Sequence, residues 1–195
     1  MNKQAIREKQ HARRRQERLK RYLIIALSIF GLGAILWAII AQNFRAEIGE
    51  AAPELSADHV TEGEEPGPYN TNPPTSGPHY GADLEAGFYE VGDITDLGLF
   101  PEGYLVHNLE HGYVIFWYNC DLLNEAECSE LTVEIQEVMD KERNIKVIAF
   151  PWPNIDVPVV MTSWTRSLSF DEFDPNLARQ FVRTYRNQAP EPNAP

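Results

Sequence analysis

Residues 114–150 read VIFWYNCDLLNEAECSELTVEIQEVMDKERNIKVIAF, and the reading of this stretch decides the fold. Val114–Tyr118 (VIFWY) and Lys146–Phe150 (KVIAF) are β-branched and aromatic runs, the composition of central strands. Between them Leu131, Ile135, Val138 and Met139 recur at helical spacing, and Ser129 stands where an N-cap is expected. Val157–Trp164 (VPVVMTSW) gives a third strand, and Pro158 places its start at a sheet edge or a strand end. Asp174-Pro175 then opens a last helix, an N-cap followed by proline at the first helical position. Leu177, Ala178, Phe181, Val182 and Tyr185 supply its apolar face, and Pro190 and Pro192 end it. From residue 113 the order is strand, helix, strand, strand, helix, which predicts an α+β domain with a small mixed sheet covered by helices. A thioredoxin-like arrangement also fits that order, but the chain has no Cys-x-x-Cys motif and that arrangement is not adopted.

Upstream the composition changes sharply. Residues 1–21 carry nine Lys/Arg against Glu8 and Glu17, a net charge of +7, in a chain whose total is −12. The rest therefore carries −19, the total less the tail, and such a body repels phosphate backbones, so nucleic acid is not an expected partner. Tyr22–Ala41 contains no charged residue, and its twenty residues at the helical rise span about 30 Å, the thickness of a bilayer's hydrocarbon core. Tyr22 and Trp37 lie near its ends, where amphipathic aromatics favour the interface, and the basic residues mark the cytoplasmic side. A cleavable signal peptide is the rival reading, but this run is longer than a signal's apolar region and Ile39-Ile40-Ala41 matches a cleavage site poorly. Gly31, Ala34, Ala38 and Ala41 put small residues on one side, where a second membrane helix can approach.

Residues 42–68 hold Glu47, Glu50, Glu54, Asp58, Glu62, Glu64 and Glu65 with Pro53, Pro66 and Pro68, and few large apolar residues. Such a stretch is expected to be an acidic linker, extended over at least its first half. Tyr69–Tyr80 (YNTNPPTSGPHY) consists of turn formers, yet it contains two Tyr and a His, and is expected to be an ordered loop pinned onto the domain. Cys120 and Cys128 both fall in the external part and bracket the turn between the first strand and the helix. An oxidising compartment favours a structural disulfide there, over free thiols or metal ligation.

Chemistry concentrates in the histidines. His107 and His111 occur in HNLEHG, and at i and i+4 they share a face in a helix or an extended strand. Neutral imidazole is the commonest metal ligand and suits zinc and copper. Glu110 between them can ligate, orient a His or act as a base toward a bound water. Gly77-Pro78-His79 fixes a third imidazole on a stiff loop, the support a ligand needs. His59 joins only if the acidic stretch folds back, and Met161 offers a soft copper ligand, although a strand Met is usually core. His11 lies in the tail and is solvated. The competing explanation is structural: these His bond backbone groups and lock the loops. A hydrolase triad from Ser76, a His and Asp83 lacks the strand–turn–helix elbow such a nucleophile requires.

PPTSGPHY (Pro73–Tyr80) followed by HNLEHG (His107–Gly112) closely resembles the bacterial domain-of-unknown-function 3105 family. The resemblance extends through VVMTSWTR (Val159–Arg166) to Phe173-Asp174, the last helix and Pro190-Glu191, about residues 57–191. It implies a His at the position of His59 followed by a hydrophobic residue, as in His59-Val60, and often an N-terminal membrane helix. It implies no activity and carries over no catalytic residue, but places His79, His107, Glu110 and His111 in the characteristic motifs.

The expected organisation is a basic cytoplasmic tail (1–21), a transmembrane helix (22–41), an acidic linker (42–68), an extracytoplasmic domain (69–191) and a C-terminal tail (192–195). The chain is thus expected in the cell membrane, single-pass, with its N-terminus inside and its partners the lipid bilayer and other membrane subunits. The leading expectation of function is binding of copper or zinc through His79, His107 and His111, with His59 and Glu110 as further ligands. A non-catalytic accessory subunit of a larger membrane complex comes second, and an enzyme using Glu110 as base third.

Overall fold

Every residue of Val114–Tyr118 is buried, and successive side chains enter two different cores. Val114, Phe116 and Tyr118 pack with Leu131, Ile135, Val138 and Met139 of one helix and Phe181 and Val182 of another. Ile115 and Trp117 point the other way, into Leu105, Val106 and Leu109 of a third helix. A strand covered on both faces needs no polar side, so its sequence is a continuous apolar run rather than an alternation. Trp117 keeps its one polar group satisfied by donating Nε1–H to Thr162 Oγ1 at 2.7 Å.

The structure, a computed structural model, describes residues 20, 24, 27, 30–33, 37 and 47–194. Its elements are β1 (Glu50–Ala51), β2 (His59–Val60), β3 (His79–Tyr80), β4 (Gly87–Phe88), α1 (Glu102–Glu110), β5 (Val114–Tyr118), α2 (Glu125–Lys141), β6 (Val147–Pro151), β7 (Val159–Ser163), β8 (Arg166–Phe170) and α3 (Pro175–Tyr185). The fold is α+β. A six-stranded sheet runs β1-β8-β7-β5-β6-β4, and β2 and β3 form a separate parallel pair. β6 is parallel to β5 and β4, whereas β7 and β8 pair antiparallel, so the sheet is mixed. α2 and α3 cover one face and α1 the other. The C-cap of α2 is tied to the α3 region by Glu142, whose buried carboxylate accepts from Arg179, Arg183 and Arg186 at 3.3, 2.8 and 3.5 Å.

Several expectations need correction. α2 is capped by Asn124, not Ser129: Asn124 and Glu127 exchange backbone-to-side-chain bonds at 3.0 Å in a capping box. The first turn is solvent-exposed and carries no apolar period, so periodicity alone missed it. Cys128 therefore lies inside α2 rather than in the turn before it, bonded to Cys120 in the short 3-10 turn Cys120–Leu122 with their Cα atoms 5.3 Å apart. α1 was not anticipated, nor was β8, which pairs with β7 through a connection in which Thr165 takes φ 60°. Pro158 marks a strand end: β7 itself is internal, between β5 and β8.

The acidic stretch is also more than a linker. From Ile48 the chain belongs to the folded unit, and Glu50–Ala51 pairs antiparallel with Arg166–Ser167. Leu55 N–H donates to Ser76 Oγ at 3.0 Å, and Trp164 Nε1–H to Glu54 at 2.8 Å. Composition argued for a tether because few apolar side chains are present, but backbone and side-chain hydrogen bonds hold it instead. At the other end Pro192 and Ala194 are docked too, their carbonyls accepting from Lys146 Nζ at 3.0 and 2.9 Å.

In the N-terminal unit, Lys20, Ile24, Leu27, Phe30–Gly33 and Trp37 are helical and exposed. Most of the expected membrane helix 22–41, and the basic tail before Lys20, lie outside the described residues. Among the described residues no helix is long and apolar enough to cross a membrane.

Two outcomes follow from this packing. Closing the short Cys120–Cys128 loop restricts the unfolded chain, so a Cys120→Ser, Cys128→Ser double variant should lose about 2–3 kcal/mol in denaturant unfolding. An unchanged midpoint would show that the bond contributes nothing. A Cβ on Gly103 of α1 would fall 2.5 Å from the Tyr80 ring, which is buried and fixed by its hydroxyl donating to Glu64 O at 2.8 Å. Gly103→Ala should therefore cost about 1–3 kcal/mol by overpacking, although alanine normally favours a helix interior. A stabilised Gly103→Ala protein would contradict the α1–β3 contact.

Candidate metal centre

The loop Tyr69–Pro78 is rigid because its polar groups are spent on the domain. Tyr69 hydroxyl donates to Pro78 O at 2.9 Å, Trp152 Nε1–H to Asn72 Oδ1 at 3.0 Å, and Thr165 N–H to Thr75 O at 3.0 Å. Pro73–Gly77 are buried, and Gly77 turns the chain at φ 136°, a conformation open to glycine but costly for a residue with a Cβ. The expected pinned loop is what the structure contains. It delivers His79 into β3, wholly buried.

β2 then aligns against β3 in parallel register, His59 opposite His79 and Val60 opposite Tyr80, with His79 N–H donating to Asp58 O at 3.0 Å. Same-register neighbours point to the same side of a strand pair. His59 is thereby carried beside His79, with ring centroids 4.9 Å apart. The condition attached to His59, that the acidic stretch fold back, is met.

α1 supplies the other side. Pro101 and Glu102 start it, and Gly112, at φ 83°, follows the His111 C-cap as the left-handed residue that ends a helix. HNLEHG is thus the end of a helix, not an extended strand. Its spacing turns His107 and Glu110 toward β2 and β3, with His111 beside them: His107 lies 5.1 Å from His79, 5.2 Å from His59 and 4.3 Å from His111 between ring centroids. One coordinating atom each from His59, His79, His107 and Glu110 lie within 4.8 Å of one another.

His79 is held at both ring nitrogens. Its Nδ1 lies 2.8 Å from Gly77 O, and a carbonyl only accepts, so Nδ1 carries the proton. In the neutral ring the Nε2 lone pair then faces Glu110 Oε2 at 3.0 Å, and His59 Nε2 lies 3.8 Å from the same oxygen. Two lone pairs in contact require a proton or a cation between them. His107 is pushed down to about 4, by burial first and then by the charge that His111, His79 and His59 carry when protonated. It is neutral near pH 7, and its buried Nδ1 has no hydrogen-bond partner; neither has the buried Nδ1 of His111. Orphaned buried polar atoms cost about 1–3 kcal/mol each and call for an explanation.

A second group adjoins the first. Glu110, His111 and Glu191 also bring coordinating atoms within 4.8 Å, and His111 Nε2 lies 3.7 Å from Glu191 Oε2. Glu191 was not singled out from sequence as a ligand; Pro190-Glu191 figured only as part of a motif. It arrives because the segment after α3 binds back on α1: Asn187 N–H donates to Gly112 O at 2.9 Å and Glu191 N–H to Glu110 O at 3.0 Å. Lys146 Nζ adds His111 O at 2.9 Å. The other sequence candidates fall away. Met161 packs in the core with Phe116, on the sheet face that α2 and α3 cover. Ser76 is fully buried with its Oγ accepting from Leu55 N–H, which leaves no free nucleophile.

Three imidazoles and one carboxylate, converging and mostly buried, fit a borderline transition-metal ion such as zinc or copper. In a tetrahedral site with bonds of about 2.0–2.1 Å, ligand atoms stand about 3.3 Å apart, so the 3.0 and 3.8 Å separations around Glu110 Oε2 are of the right size.

No curated protein matches this chain, and no solved structure does. The sequence model of DUF3105, described as a protein of unknown function, matches residues 59–195, a span that holds every residue of both candidate groups. The chain belongs to the DUF3105 family.

Proposed function

We propose that this protein is a membrane-anchored, extracytoplasmic metal-binding domain that takes zinc or copper at His59, His79, His107 and Glu110. The observation that carries this reading is the His79–Glu110 contact: with Nδ1–H committed to Gly77 O, the Nε2 lone pair faces a carboxylate oxygen inside a ring of imidazoles. An ion coordinated by both atoms resolves that contact and gives neighbouring imidazoles a partner as well. The engagement of Glu110 with His79 supports its role as ligand over that of a free base. The basic tail and the uncharged run Tyr22–Ala41 support anchoring with the domain outside, and the Cys120–Cys128 bond is in keeping with an oxidising compartment. The role is metal handling or a metal-stabilised scaffold.

The rival is a proton instead of a metal, an imidazolium of His79 clamped to Glu110, and it makes the domain a structural accessory subunit. Full-length protein purified in mild detergent separates the two. The metal reading expects bound zinc or copper by elemental analysis and a melting temperature that falls with chelator and recovers with the ion. At a free ion concentration of about 100 Kd the gain is about 2.7 kcal/mol. His107→Ala should abolish that gain. A protein with less than stoichiometric metal, whose melting ignores chelator while His107→Ala lowers it in all conditions, would overturn the metal reading in favour of the clamp.

Anchoring has its own test. Protease added to intact spheroplasts should remove the domain and spare the basic tail. Recovery of a mature chain beginning near Gln42 would make the protein secreted instead.

A further inference from the structure

The two ligand groups share one residue. Glu110 belongs both to the set with His59, His79 and His107 and to the set with His111 and Glu191. Its neighbours in α1 divide between them, His107 on one side and His111 one turn on, with ring centroids 4.3 Å apart. We infer that Glu110 bridges two metal positions, so that the centre takes a pair of zinc-class divalent ions rather than one. The inference rests on the metal reading above and deepens it.

Three observations beyond the shared carboxylate support the second position. His111 is buried, yet no hydrogen bond holds either nitrogen of its ring: Nδ1 has no partner, and Nε2 meets only the Glu191 carboxylate beyond hydrogen-bond distance. The His111 Nε2–Glu191 Oε2 separation of 3.7 Å is too long for a hydrogen bond but ordinary for two ligands of one ion. Glu191 is also held in place deliberately: its own N–H donates to Glu110 O at 3.0 Å, so the two carboxylate-bearing residues are locked together through the backbone. The nearby cation, Lys146, spends its ammonium on the carbonyls of His111, Pro192 and Ala194 rather than on Glu191. Among the described residues no Lys or Arg pairs with the Glu191 carboxylate, which is left with His111 alone. Two carboxylates and four imidazoles then face two divalent ions, a donor set in which each ion meets at least one carboxylate oxygen. Carboxylate-bridged pairs of this kind hold their ions about 3.5–4 Å apart.

The test uses the full chain in detergent, stripped of metal and titrated with zinc alone, with bound zinc counted after equilibrium dialysis. Wild type should bind two equivalents and Glu191→Gln one. The Glu191 side chain is 60 % exposed, so the substitution leaves the fold intact. Glu110→Gln should weaken both equivalents. With cobalt(II) in place of zinc, wild type should show the magnetic coupling of a bridged pair, and Glu191→Gln an uncoupled single ion. One equivalent in wild type and in Glu191→Gln alike would overturn the pair while leaving the single-ion reading standing. Two equivalents in both would overturn the assignment of Glu191. No bound zinc in wild type would remove the metal reading and the pair with it.

Discussion

His79 is gripped at both ends of its ring, by Gly77 O on Nδ1 and by Glu110 Oε2 on Nε2, and the arrangement around it serves that grip. The first contact needs the Tyr69–Pro78 loop to be stiff, and the hydrogen bonds from Tyr69, Trp152 and Thr165 make it so. The second needs α1 to stop at His111, with Glu110 turned inward, and Gly112 allows that stop. A Cβ on Gly112 would also strike Asn187 Cα at 2.7 Å, so the same glycine admits the returning C-terminal segment. One backbone position thus ends α1 beside the candidate ligands His107, Glu110 and His111 and opens the space through which another candidate, Glu191, arrives.

The sheet provides the platform rather than the chemistry. β5 is buried on both faces, and the α1 side of it puts Ile115 and Trp117 under Leu105, Val106 and Leu109. That packing fixes α1 in height and rotation, so His107 and Glu110 are presented to β2 and β3, and His111 at its end to Glu191. β2 and β3 are two residues long and cannot be stable alone. They persist because Tyr80 is wedged under Gly103, Tyr104 donates to Glu62, and the β3 amide binds Asp58. Around this centre lies a body of strongly negative charge, which raises the local concentration of cations and disfavours anionic partners.

What the sequence disclosed was set by length and contrast. β5, β6 and β7, and the apolar faces of α2 and α3, were legible because each presents a sustained run or period. α1 was not, because it is nine residues long and buried on most sides, which erases the polar stripe that marks a surface helix. Pro101 and Gly112 were the available signals for its ends. β8 alternates Ser167 and Ser169 with Leu168 and Phe170 beside a turn without Asn-Gly, so its pairing depends on tertiary contact. His79, His107, His111 and Glu110 could be read from motif spacing and loop stiffness. His59 depended on a chain reversal that composition argued against, and Glu191 on a backbone return 81 residues away from Glu110 in sequence, which no local pattern encodes.

The central claim is that a metal ion, and not a proton, stands between His79 and Glu110. Diffraction from crystals of protein isolated without added metal, recorded above and below the zinc and copper absorption edges, addresses it directly. The account predicts an anomalous peak about 2.0–2.2 Å from both His79 Nε2 and Glu110 Oε2. No peak, with the two atoms in direct contact at hydrogen-bond distance, would contradict it.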